Sequence, residues 1–378
     1  MNIKKTVKMI GIFLVAALIL IVVGGALFVL LSPEFGGTPS AKQKEVYAQS
    51  GHYHDGKFVN LISTSMDMSF GKMRSILGDY IRGVPYGVPD SPPPVATVDS
   101  LSIAHRPDTV TQLTWFGHSA VLLEIDGKNV LLDPMLGDVP APHPWLGQRR
   151  FSDSLPIAIE QLPAIDAVLI SHDHYDHLDY GSVKKLKDKV KDFYVPLGVG
   201  AHLRAWGVAE EAIHELDWWD QTQHDHLGLV FTPSRHFSGR GLTDRNATLW
   251  GSWVIQGKEE RLYFSGDGGY GPHFAEIGER YGPFDLALVE CGQYDERWDQ
   301  IHMMPEESAQ AALDVRARLM MPIHWGAFRL ALHSWTDPVE RVTVQAEALR
   351  MPITTPRIGE AVVLGSAKPP NSSWWYAY

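Results

Sequence analysis

The stretch from Ser171 to Asp179 reads Ser-His-Asp-His-Tyr-Asp-His-Leu-Asp, directly behind the apolar run Ala167-Val168-Leu169-Ile170. A short apolar run bounded by polar residues predicts a buried strand, so the cluster sits where that strand leaves its sheet. Imidazole nitrogen and carboxylate oxygen are the ligands that zinc and neighbouring divalent ions take. His172 and His174 are two apart and share a side only in extended or turning backbone, whereas the adjacent Asp176 and His177 diverge. That arrangement suits two ions better than one. The alternative, a merely polar surface loop, leaves four ligand-type residues within six positions unexplained.

The same device recurs downstream. Val230-Phe231-Thr232-Pro233-Ser234-Arg235-His236 delivers a histidine just past a strand. Arg261 to Asp267 delivers an aspartate, and Leu319 to His324 another histidine, with Gly266 and Gly326 leaving room for close approach. Three apolar strands each ending in a ligand-type residue are what a metal site at a sheet edge requires. Asp133, at the end of Val130-Leu131-Leu132, is placed to orient a ligand histidine from behind, with a turn cap as its other reading. His118, alone in Trp115-Phe116-Gly117-His118-Ser119, reads as a structural hydrogen-bonder rather than a ligand.

These residues need a scaffold. Val121 to Ile125 and Val130 to Leu132 flank Asp126-Gly127, a strong hairpin signal. A basic amphipathic helix is expected over Val183 to Lys191, and a short one over Gly198 to Trp206. Met304-Pro305-Glu306-Glu307 opens a helix that should end near Arg316 and Arg318, and Asp337-Pro338 opens another. Strands and helices interleave in two halves, near 110–200 and 225–350. The pattern predicts an α/β protein, an αβ/βα four-layer sandwich with helices outside. The catalytic domain is drawn at 109–365.

Ahead of it, Met9 to Leu31 carries no charge. At 1.5 Å per residue this is a helix of about 34 Å, enough to cross a hydrocarbon core of about 30 Å. Lys4, Lys5 and Lys8 precede it and the next basic residue is Lys42, so the N-terminus is expected in the cytoplasm and the domain on the extracytoplasmic side, periplasmic in a Gram-negative cell. Residues 1–31 thus read as a cytoplasmic stub and transmembrane anchor in preference to a cleaved signal peptide. Residues 32–108 read as linker and helical lead-in, dispensable up to residue 40. Within them, Met66 to Ile81 places apolar residues at helical spacing, expected to pack on the catalytic domain, with a membrane-surface helix as the alternative. Residues 366–378, with Trp374-Trp375-Tyr376, read as a disordered tail in preference to a membrane-interface contact.

The chain has 378 residues, 45% of them hydrophobic, and a formal net charge of −11. That balance argues against nucleic acid, which wants a basic face. The single cysteine, Cys291, excludes an internal disulfide.

His172-x-His174-x-Asp176-His177 after a strand resembles the signature of the metallo-β-lactamase superfamily. His236, Asp267 and His324 match its later metal motifs in order. The resemblance implies two Zn²⁺ ions per chain, one on His172, His174 and His236, the other on Asp176, His177 and His324, with Asp267 shared. Within the superfamily the chain is similar to the phospholipase D that hydrolyses N-acylphosphatidylethanolamine and to its bacterial relatives. The supporting stretches run from about Trp115 to Gly365 and include Glu215-Leu216-Asp217-Trp218-Trp219 and Leu249-Trp250-Gly251-Ser252-Trp253, which metal chemistry does not require. Two motifs depart from that family: Gly266-Asp267-Gly268-Gly269-Tyr270 lacks its threonine, and His302-Met303-Met304-Pro305-Glu306-Glu307 replaces its Val-Asp pair.

The implied activity is a membrane-anchored, zinc-dependent phosphodiesterase acting on phospholipid, in which water activated between two metals attacks phosphorus. Asp176 is expected to steer the water proton as well as ligate. His302 and Tyr175 are the candidate donors to the phosphate or leaving group, each with a packing role as the other reading. The rivals are a metallohydrolase opening a lactone or β-lactam and a non-catalytic zinc-binding scaffold. Expected partners are the phospholipid, the bilayer and, as a candidate, a second copy of the chain.

Overall fold

The computed structural model describes residues 3–66 and 69–378. Two mixed sheets form its centre. The seven-stranded sheet runs, edge to edge, Ala361–Val363, Gln112–Trp115, Val121–Ile125, Lys128–Leu132, Ile165–Leu169, Val190–Pro196 and Ile213–Leu216. The six-stranded sheet runs Met320–Ile323, Leu286–Glu290, Arg261–Phe264, Ser252–Gln256, Leu227–Thr232 and Gln221–His224. Asp126 and Gly127 both have positive φ, 50° and 76°, so the hairpin turn has the twist that two-residue connections prefer.

Strands buried on both faces explain the apolar runs: Val121–Ile125 and Leu286–Glu290 are buried at every position. One continuous core joins the sheets, with Trp115, Trp250, Trp253 and Trp325 fully buried. A second core lies between the first sheet and the helices Tyr180–Leu186 and Gly200–Ala205. Helices Pro305–Asp314 and Asp337–Leu349 pack on the other side. The architecture is the four-layer sandwich that the sequence predicts. The apolar helix Ile3–Leu31 is long and apolar enough to span a membrane and buries none of its residues.

Several local expectations fail for identifiable reasons. The helix from Tyr180 stops at Leu186, and Val190 already belongs to a parallel strand, because the strand Ile165–Leu169 claims its backbone. Helix Pro305–Asp314 ends before Arg316, which takes a left-handed φ of 62°. The expected helix from Met66 starts at Phe70 and runs to Arg82; positions 67 and 68 lie outside the described residues. It buries none of its residues, leaving Phe70 and Ile81 about four-fifths exposed, and meets the domain through Asp79, which accepts from Arg297 Nη1 at 2.7 Å, so its apolar face is not packed as expected.

The C-terminal segment is no disordered tail. Trp374 and Trp375 are buried, their rings 5.5 and 5.7 Å from that of Trp325, and Trp374 Nε1 donates to the Pro356 carbonyl. Two indoles gain more from that core than the short segment loses by ordering.

The linker expected after residue 31 is likewise docked. Arg240, itself buried, donates from Nε and Nη2 to the Glu34 carbonyl at 2.9 and 2.7 Å. Trp206 Nε1 donates to the Pro33 carbonyl, and Gly37 N–H donates to His202 Nδ1. Gly36 has a φ of 83°, and a Cβ there would lie 2.0 Å from His202 Nδ1, so only glycine lets the chain approach so closely.

Candidate metal centre

The cluster 171–179 leaves the strand Ile165–Leu169 as predicted, and loops from both sheets converge on it. The loop at His118 and the loop at His324 are themselves joined: His118 N–H donates to Trp325 O, and His324 N–H to His118 O. His118, Asp133 and His324 hold φ values of 56°, 37° and 68°, sparsely populated for non-glycine residues. Strain of this kind persists where surrounding contacts over-determine the backbone, as at functional sites. Gly266 has a φ of 56° and would set a Cβ 2.6 Å from Ser171 Cβ, which brings the Asp267 loop onto the cluster.

Two groups of side chains result. In the first, His174 Nδ1 lies 2.8 Å from His172 Nε2 and 3.2 Å from His236 Nε2. Tetrahedral zinc with Zn–N bonds of about 2.0–2.1 Å would separate its nitrogens by about 3.3 Å, so three nitrogens already stand close to that spacing. His236 Nδ1–H donates to the Ile301 carbonyl at 2.8 Å, which turns its Nε2 lone pair inward.

In the second group, His177 Nε2 lies 3.0 Å from Asp267 Oδ2 and 3.5 Å from Asp176 Oδ2, while His324 Nδ1 lies 3.1 Å from Asp267 Oδ1. His177 Nδ1–H donates to Asp133 Oδ2 at 2.7 Å, so Asp133 orients that ring. His118 Nε2–H donates to Asp176 Oδ2 at 2.8 Å and holds the carboxylate in place. Asp267 lies between the groups, with His172 Nε2 3.9 Å away. His177 Nε2 and Asp267 Oδ1 are buried and make no hydrogen bond despite these short approaches. Lone pairs that converge without hydrogen-bond alignment fit a shared cation.

Electrostatics agree with ligand chemistry, which needs neutral imidazoles. Burial, with neighbouring imidazoles behind it, holds His172, His236 and His324 well below the usual histidine range. Burial takes His174 down to about 4. At His177 burial opposes the charge, but Asp267, Asp176 and Asp133 outweigh it and raise the group. Burial pushes Asp267 up to about 7. The carboxylates that raise His177 would equally favour a divalent cation between these groups.

His302 stands beside both groups, its ring 5.1 Å from that of His236 and 5.3 Å from that of His324. Tyr175 does not join them. Its hydroxyl donates to the Arg240 carbonyl at 2.7 Å and its ring lies 4.0 Å under the Arg240 guanidinium, so it braces the loop from behind. The reason is local: Arg240 Nη1 donates to the carbonyls of Asp173 and Leu178, and Tyr175 is the side chain between those points that closes over it.

Four contributors escaped sequence reasoning. Glu290 is fully buried; one oxygen accepts from Met303 N–H, and the other lies 3.0 Å from His302 Nδ1. Its signal was available, since it ends an apolar strand like the other site residues. Arg240 and Asp173 form the loop's support, the Asp173 carboxylate accepting from Gly239 N–H and Thr248 Oγ1. Arg245 lies 4.0 Å over the ring of Phe237, itself 4.5 Å from that of His174. Nothing in one sequence announces those pairings.

A family model for the β-lactamase superfamily domain matches residues 128–325, more than half of the chain. An uncharacterised protein of Mycobacterium tuberculosis is 44% identical over 336 residues, 88% of this chain and 89% of that one. The N-acyl-phosphatidylethanolamine-hydrolyzing phospholipase D 1 of Caenorhabditis elegans is 36% identical over 228 residues, 57% of this chain and 64% of that one. Among solved structures, the metallo hydrolase Igni18 of Ignicoccus hospitalis superposes with a TM-score of 0.52 at 22% identity, covering 68% of this chain and all of that one, which is a likeness of fold. By sequence match, fold and the metal-type clusters at one sheet edge, the chain belongs to the β-lactamase superfamily of metal-dependent hydrolases.

Proposed function

We propose that this chain is a membrane-anchored phosphodiesterase that cleaves phospholipid in the manner of a phospholipase D, with N-acylphosphatidylethanolamine as the substrate to test first. The observation that carries the choice of a phosphodiester over a lactone is Arg245. Its guanidinium sits on Phe237 beside His174, and among the described residues no carboxylate pairs with it. A cation resting on an aromatic ring at the rim suits an anionic substrate and offers a neutral ring ester nothing. The relative in Caenorhabditis elegans, named for this substrate, supports the same reading.

In this reading His172, His174 and His236 would hold one divalent cation and Asp176, His177 and His324 a second, with Asp267 available to either; zinc would suit the donor set. Bound there, such ions supply water activated at neutral pH and neutralise charge on the phosphoryl oxygens. The chain's own groups do the rest. Asp176, about 14% exposed and held by His118, accepts the proton of the attacking water. Arg245 draws in the phosphodiester. The water oxygen forms the new bond to phosphorus, and the bond from phosphorus to the alkoxide breaks. His302 donates an Nε2–H hydrogen bond to that alkoxide, which takes its proton from solvent as Asp176 returns its own; burial pushes the Glu290 carboxyl well up, and a protonated Glu290 donating to His302 Nδ1 leaves Nε2–H as the donor. The helix Ile3–Leu31 anchors the enzyme with Lys4, Lys5 and Lys8 on the cytoplasmic side, and a tethered site meets lipid at high effective concentration.

The test is incubation of the metal-loaded chain with N-acylphosphatidylethanolamine in mixed micelles and product identification by mass. N-acylethanolamine plus phosphatidic acid, lost on chelation and restored by zinc, is the expected result. A metal-loaded protein that cleaves no phosphodiester but opens lactones would overturn it.

A further inference from the structure

The last turn of the apolar helix is not isolated from the folded domain. The Phe28 ring lies 4.9 Å from that of His143, 5.9 Å from Trp145 and 5.7 Å from Phe35. His143 Nε2 lies 3.1 Å from the hydroxyl of Ser32, the first polar residue after the apolar run. The loop Val139-Pro140-Ala141-Pro142-His143-Pro144-Trp145-Leu146 contains no acidic residue, lysine or arginine, and three prolines stiffen it. Even so, Trp145 is 72% exposed and Leu146 47%. A large indole left open to water beside an apolar helix marks a surface that something covers.

Taking Ile3–Leu31 as a membrane span, as the proposed function does, fixes the depth of this loop. Ser32 ends the apolar run and so stands at the hydrocarbon boundary. Phe28 is four residues earlier, about 6 Å along the axis at 1.5 Å per residue. A ring in contact with Phe28 and a neighbour bonded to Ser32 must lie within that shell, the headgroup region that tryptophan favours. We propose that the Pro144-Trp145-Leu146 turn is a second membrane contact, inserted among the lipid headgroups beside the anchor, and that its occupant is the bilayer itself. Two contacts, unlike one tether, fix the tilt of the domain. Leu242 is 92% exposed and lies two residues beyond Arg240, whose guanidinium holds the Glu34 carbonyl just past the same boundary, so it extends the contact.

The native chain has one cysteine, Cys291, which is buried, so an introduced thiol can be labelled selectively. Leu146→Cys and, separately, Leu20→Cys in the full chain would carry an environment-sensitive fluorophore in phosphatidylcholine–phosphatidylglycerol vesicles. Lipids bearing a quencher near the headgroup should lower the emission at position 146 about twofold, with little effect of aqueous iodide, as for a side chain at interfacial depth, and lipids bearing the quencher deep on the acyl chain should lower it at position 20. Quenching at position 20 with a position 146 open to iodide would overturn the loop contact and leave the anchor standing. Absence of lipid quenching at position 20 would remove the anchor reading on which the inference rests. Protection of position 146 from both quenchers would mean that protein covers the turn, and would also overturn the proposal. Trp145→Cys provides the same readout should Leu146→Cys fail to fold.

Discussion

The guanidinium of Arg240 and the carbonyl of Glu34 are joined by two hydrogen bonds, and the same guanidinium donates to the carbonyls of Asp173 and Leu178. Those two carbonyls bracket His174, Asp176 and His177. The residues just past the apolar helix are therefore part of the support of the metal-type loop. Removing residues 1–31 should leave the soluble domain folded with its metal affinity intact. Removing residues 1–39 strips a buried guanidinium of one acceptor and leaves two of its donors unpaired, a loss of about 1.5–3 kcal/mol for each hydrogen bond to a charged group. Chelator competition should then show metal affinity at least about tenfold weaker, since supports behind a ligand shell are worth about 10–100-fold. A synthetic peptide of residues 32–40 should restore part of it. Equal affinity in both truncations would show that the segment is only tethered.

The proposed ligand set predicts how single substitutions divide. His174→Ala removes one of three converging nitrogens, and Asp176→Asn removes a charge from the second group while keeping its shape. Each should abolish turnover, and each should lower metal content measured on the purified protein, by about one ion for Asp176→Asn if two are bound. Tyr175→Phe is the contrast. Its hydroxyl is committed to the Arg240 carbonyl, so turnover should fall less than about tenfold, a loss of about 1 kcal/mol in one neutral hydrogen bond. A large loss of turnover with normal stability would return Tyr175 to the reacting atoms.

How far the sequence reached depends on how local each cause was. The strand ends with their ligand-type residues, the Asp126-Gly127 turn and the apolar helix are written in runs of a few residues, and the fold class followed from their order. Tyr175 stood between a donor role and a packing role because its neighbours in sequence are ligand-type residues, whereas the partner of its hydroxyl, Arg240, lies sixty-five residues away. Residues 33–37 and 374–375 looked like linker and tail by composition. Their docking is decided by distant residues, Trp206 and Arg240 for the first and Trp325 and Trp335 for the second, which periodicity does not encode.

Glu290 and His302 form a pair whose role can be separated from metal binding. Glu290→Ala removes the oxygen 3.0 Å from His302 Nδ1 and frees that ring to turn. With a positioned proton donor worth about 10²–10⁴-fold, kcat should fall by about 10–100-fold, because the donor is loosened and not deleted, while KM stays within about twofold. Glu290→Gln can still bond Nδ1 and should recover most of the rate. Metal content should be unchanged in both. Loss of metal from Glu290→Gln would instead make Glu290 a ligand, which its position near Asp267 and His324 makes the relevant alternative.

A pH effect on stability follows from His273, which lies outside the metal-type groups. Burial first, then the nearby Arg235 charge, lowers its imidazole to about 3. The unfolded chain takes up a proton near the ordinary value of about 6.5, and the folded chain does so only near the lower one. Between those values the unfolded state binds more protons, so the contribution to stability is fully present above about pH 6.5 and is lost as pH falls toward 3. One such group steepens the fall by about 1.4 kcal/mol per pH unit. Urea titrations of the metal-free protein at pH 7, 6 and 5 should therefore show a mean slope that His273→Gln reduces by about 1 kcal/mol per unit, below the limiting figure because the unfolded group is only partly protonated at pH 7. Because both proteins share every other buried histidine, their difference isolates this site. An unchanged slope would mean that water reaches His273 and that it is protonated in the folded chain at ordinary pH.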